Sequence, residues 1–145
     1  MKIVRFSDRE FVPAGHESPI SPGVWKKVLL VKQDLTPGTV QMVNWARLPA
    51  GRSFAPHYHE DMQEVFVMLT GEAEITVGEE TSVLRRGDAI LIDAREVHEM
   101  RNSGSTDAEY LAIGIAGTAN GKTVVIGVSP GWESVDALGR ISGNP

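Results

Sequence analysis

Residues 56–64 read PHYHEDMQE, and three of these nine side chains, His57, His59 and Glu64, carry atoms that bind divalent transition ions. Imidazole nitrogen and carboxylate oxygen together suit Fe, Mn, Ni, Cu or Zn. Spacing decides whether the two histidines can act together. In a strand, residues two apart project to the same face, whereas on a helix they splay to opposite sides. In a β context His57 and His59 therefore form a chelating pair, and a tight connection can bring Glu64 back towards them. Two other histidines exist in the chain. His98 directly follows an apolar run at residues 89–92, from which antiparallel pairing would carry it to the first pair. His16 lies in an irregular arm. The alternative is a polar loop with two solvated histidines, so the elements around the cluster matter.

Those elements read as strands. Short apolar or alternating runs occupy residues 24–31, 40–48, 64–69, 73–77, 89–92, 109–115 and 124–128, and most are separated by Gly, Pro, Asp or Thr. Runs of this length at this spacing indicate an all-β sandwich or barrel. In residues 72–77, EAEITV, polar and apolar side chains alternate, as a strand with one wet face requires. A short helix is expected at 133–138. The strand at 40–48 has two candidate inner faces, Met42/Asn44/Ala46/Leu48 or Gln41/Val43/Trp45/Arg47, and parity alone leaves both open.

With 145 residues, 41% of them hydrophobic and 23% charged, the chain has the size and composition of one globular domain spanning 1–145. Residues 1–23 and 129–145 are expected to form an arm and a tail around the barrel. A net charge of -5 with no basic stripe argues against nucleic acid or an anionic membrane as a partner. The absence of cysteine excludes a disulfide scaffold and a thiolate site. Neither an apolar signal core nor an apolar run of membrane-spanning length is present, so a cytoplasmic location is expected. There is no GxGxxG or GxxxxGK[ST] loop for a nucleotide.

The flanking glycines extend the pattern. Gly51, His57, His59, Glu64 and Gly71 fill every fixed position of G-x5-H-x-H-x(3,4)-E-x6-G, the first motif of the cupins. Gly87, His98 and Asn102 match the second motif, G-x5-P-x-G-x2-H-x3-N, with Asp93 in place of its proline and Arg95 in place of its glycine. Over residues 40–117 the chain thus resembles the cupin superfamily. The resemblance implies a double-stranded β-helix, or jelly-roll, barrel with one divalent metal ion held by His57, His59, Glu64 and His98. The two departures fall in a turn and leave the ligand set complete.

Four protein ligands leave two positions open on an octahedral ion. Strand parity places Phe66 and Met68 on the side of Glu64, and Met100 and Asn102 on the side of His98. These, with Arg95 as a rim cation, are the candidate pocket lining. Three classes of function follow. First comes a metal-dependent oxygenase or dioxygenase of a small molecule, second a non-redox isomerase, cyclase or lyase acting on a sugar or keto acid, and third a binding barrel without turnover. The second needs a separate acid or base, and the candidates Glu99, Tyr110 and the acids near Glu60 are expected at the surface. Apolar side chains on both faces of 24–31, together with Val65, Val67 and Leu69, point to a homodimer.

Overall fold

The computed structural model describes residues 2, 4–34, 39–117 and 121–127. Eleven strands are formed among them: β1 (Val12–Pro13), β2 (Trp25–Val31), β3 (Val40–Leu48), β4 (His57–His59), β5 (Met62–Thr70), β6 (Glu72–Val77), β7 (Glu80–Arg85), β8 (Ala89–Ile92), β9 (His98–Arg101), β10 (Ala108–Ala116) and β11 (Thr123–Val125). They build a six-stranded sheet in the order β1-β2-β3-β10-β5-β8 and a five-stranded sheet in the order β11-β4-β9-β6-β7. All pairings are antiparallel. Adjacent strands such as β3 and β10 are far apart in the chain, which is the crossing pattern of a jelly roll.

Alternation drives this architecture. Along β3, β5 and β10 every second residue is buried, so each strand lays one face on the core. Met42, Asn44, Ala46 and Leu48 are the inward residues of β3, which settles the face that parity left open. The core between the sheets is filled by Leu48, Phe54, Phe66, Met68, Ile75, Ile92, Met100 and smaller apolar side chains.

Some sequence expectations are corrected here. Residues 80–85 pair with β6 as a full strand, although ETSVLR carries three exposed polar residues in a row and gave no clear alternation. The N-terminal arm is not wholly irregular, because Val12 and Pro13 pair with Lys26 and Trp25. The last strand is shifted to Thr123–Val125 and pairs with β4. The expected helix at 133–138 and the tail at 129–145 lie outside the described residues.

Two features tune the loops. The motif glycine Gly71 turns β5 into β6 at φ 72°, and a Cβ there would sit 2.8 Å from the Asp107 carbonyl oxygen. Arg95 holds φ 70°, the only non-glycine with positive φ among the described residues. The second cupin motif has glycine at this position, and the arginine here stands in a left-handed conformation that glycine adopts freely.

Candidate metal centre

Both sheets contribute to the centre. β4 supplies His57 and His59, whose shared strand face turns both inward. β9 supplies His98, which stands directly opposite His57 in the antiparallel register. β5, in the other sheet, supplies Glu64. All four are buried, and one ligand atom from each falls within 4.8 Å of every other. The geometry expected of the four residues is thus the geometry observed.

The hydrogen bonds orient each ring. His57 Nδ1 donates to the Ala55 carbonyl at 2.8 Å and His98 Nδ1 to the Glu96 carbonyl at 2.9 Å. His59 Nδ1 is 2.9 Å from the Thr123 hydroxyl on β11. With the proton on Nδ1, His57 and His98 turn Nε2 lone pairs towards the centre. Burial and the neighbouring His98 lower the His57 pKa to about 3, so its ring stays neutral. Burial alone would raise Glu64, but His59 and His98 hold its carboxyl well below the usual range, so it stays ionised.

Glu64 Oε2 lies 3.0 Å from His59 Nε2 and 3.1 Å from His98 Nε2. His57 Nε2 is sealed from solvent without a hydrogen-bond partner. Three imidazole nitrogens converging on one buried carboxylate call for positive charge among them, supplied by protons on the rings or by a metal ion. The donor set therefore fits a divalent metal ion, and the backbone carbonyls fixing the imidazoles are the outer partners that such ligands use.

A cavity of ≈ 70 Å³ adjoins Glu64 and His59. Of the residues expected to line a pocket, Phe66 forms part of its wall. Met68 and Met100 are packed in the core, at 1% and 0% exposure. Asn102 is also buried, and its amide donates to the Leu48 and Thr106 carbonyls while its Oδ1 accepts from the Gly104 N–H, which makes it a loop brace. Arg95 is exposed, its backbone N–H bonded to the His59 carbonyl at 2.7 Å.

Tyr110, Lys26 and His16, which sequence reasoning did not place in the pocket, are in its wall, as is Asn44, whose face it left open. Tyr110, expected at the surface, is 3% exposed, and its ring lies tilted against Phe66 with centroids 5.0 Å apart. Burial, then Glu64 and Glu17, raise its pKa well above the phenol's usual value. Lys26 and Asn44, 6% and 5% exposed, lie on the same wall. His16 stacks on His57 with ring centroids 3.8 Å apart. Parity offered a signal for three of them, since Lys26, Asn44 and Tyr110 occupy inward positions of β2, β3 and β10. For His16 nothing local did.

A family model described as the cupin domain matches residues 44–114. The chain belongs to the cupin superfamily. It is 34% identical over 67 residues to an oxalate-binding protein of Thermotoga maritima, across 46% of this chain and about half, 55%, of that protein's length. Among solved structures it resembles a predicted oxalate decarboxylase from Thermotoga maritima, with 28% identity, a TM-score of 0.69 and coverage of 79% of this chain and 99% of the other. It also resembles a sugar phosphate isomerase of the cupin superfamily from Silicibacter pomeroyi, with 17% identity, a TM-score of 0.68 and coverage of 88% and 83%. At that identity the likeness is one of fold.

Proposed function

We propose that the protein is a metal-dependent enzyme of the non-redox kind, a lyase or isomerase acting on a small carbonyl compound. The observation that carries this reading is Tyr110 in the cavity wall, because it supplies the acid that the reaction needs from a residue expected at the surface. When bound by His57, His59, Glu64 and His98, a divalent ion would polarise a substrate oxygen as a Lewis acid. Tyr110 keeps its proton at neutral pH and so offers a hydrogen bond, or a proton, to a neighbouring substrate oxygen or carbon. Phe66, Ala46 and Ala112 exclude water from the apolar part of the wall. The likeness to a predicted oxalate decarboxylase supports carbon-bond chemistry next to a carboxylate.

The test is turnover in D2O, followed by NMR for deuterium at the substrate carbon that Tyr110 would protonate, under strict anaerobiosis, with zinc- or manganese-loaded protein and a panel of keto and hydroxy acids. Deuterium incorporation that Tyr110→Phe slows by about 10²-fold or more is expected. No incorporation with any compound, at full metal occupancy, would contradict the reading. The three-histidine, one-glutamate donor set also serves an oxygenase, the second reading, and oxygen uptake by the Fe(II)-loaded protein without such incorporation would favour it.

A further inference from the structure

The inner face of the six-stranded sheet carries three cross-strand rows beside the centre. The row nearest to it is Met42, Gly114 and Glu64; the next is Asn44, Ala112 and Phe66; the third is Ala46, Tyr110 and Met68, continued on β2 by Lys26. The cavity runs along these rows, since residues from all three line it. Lys26, Ala46 and Tyr110 stand at one end, Glu64 and His59 at the other, and Asn44, Ala112 and Phe66 lie between them.

Lys26 at the far end is the unusual residue. An ammonium at 6% exposure is costly to bury, and sheets seldom turn a lysine inward. Lys26 makes a contact of its own, so an arriving anion shares or replaces that partner. Between Lys26 and Glu64 lies Asn44, whose amide nitrogen donates to Met42 Sδ at 3.0 Å while its Oδ1 is buried with no hydrogen-bond partner. A buried acceptor without a donor calls for one, and a ligand hydroxyl would provide it.

We infer that Lys26 anchors the carboxylate of an extended hydroxy-acid, that Asn44 Oδ1 accepts from a hydroxyl on its carbon chain, and that the oxygenated far end reaches Glu64 and the histidines. The inference rests on the proposed metal-centre reading. Lys26 and Glu64 lie two rows apart along the strands and three strands apart across the sheet, on the order of 19 Å between their backbones. The lysine and glutamate side chains together span on the order of 11 Å of that. A two-carbon diacid such as oxalate cannot bridge the remainder, whereas a five- or six-carbon acid can.

Calorimetry on the zinc-loaded protein tests this with glucuronate, oxalate, glucose and glucose 6-phosphate as probes. Lys26→Met is expected to weaken glucuronate by about 10- to 100-fold, the worth of one charge-assisted contact. Oxalate should change little, Lys26→Arg should restore most of the glucuronate affinity, and metal content should stay the same in every variant. Equal glucuronate binding by wild type and Lys26→Met at full occupancy overturns the proposal, as does an equal loss for oxalate. Tighter binding of glucose 6-phosphate than of glucuronate overturns the carboxylate assignment. If wild type takes up no metal, the centre reading fails by itself. The same Lys26→Met comparison on metal-free protein then decides the anchor, a retained difference supporting it and no difference overturning it.

Discussion

Glu17 shows how a single side chain of the N-terminal arm supports the centre. Its carboxylate accepts from the Gly23 N–H at 2.6 Å and from the Ala55 N–H at 2.8 Å, two residues before His57. The neighbouring His16 lies against His57 and Phe54. Glu17→Ala leaves two N–H groups without that acceptor, and chemical denaturation should show a loss of about 2–4 kcal/mol. Burial raises the Glu17 pKa, against the pull of both N–H groups. The folded state therefore binds more protons than the unfolded chain between the two pKa values. Stability due to this group falls as pH rises from the ordinary carboxylate value through the raised one, and the Glu17→Gln variant should lack that slope. The four clustered residues were legible in the sequence because their spacing is local, or fixed by one strand pairing. Glu17 and His16 were not, because what brings them beside the ligands is the docking of an arm against Ala55 and His57, dozens of residues away.

At the level of elements, strands with one wet face announced themselves through alternation, and β3, β5 and β10 formed where the pattern put them. β7 escaped because an edge strand owes its pairing to β6 and not to a buried face of its own. The motif glycines have a physical role that spacing alone does not explain. Gly71→Ala would meet the Asp107 carbonyl and Ala108 Cα within 3 Å at positive φ, and thermal unfolding should show it destabilised by roughly 2–4 kcal/mol. Arg95→Gly should act in the opposite direction, gaining about 1 kcal/mol by relieving a left-handed arginine. A loss of stability in Arg95→Gly would mean that the side chain, whose Nε is 3.4 Å from the Glu60 carbonyl, contributes more than the strain costs.

Across the whole molecule, the outer face of the large sheet carries an apolar band. Leu30, Val43, Ile113, Val65 and Leu91 form one row over five strands, flanked by Trp45, Leu111 and Val67. Leu91 is 56% exposed. The sequence pointed to such a face through Val65 and Val67, and the register now aligns it into a continuous strip of the kind that a second copy covers. Light scattering at micromolar concentration should give about twice the 15.7 kDa of one chain, and Leu91→Glu should shift the mass towards one. A mass of 15.7 kDa for the wild type would remove the dimer.

The central claim is that His57, His59, Glu64 and His98 together hold one divalent ion per chain, and elemental analysis after chelation, reloading and dialysis tests it most directly. Wild type should retain about one ion, and His16→Ala should do the same, since His16 stacks beside the cluster and is not among the four converging ligands. His59→Ala and His98→Ala should each retain less than roughly a tenth, because losing a ligand costs more than the 10- to 100-fold typical of an outer partner. Full occupancy in either variant would contradict the assignment.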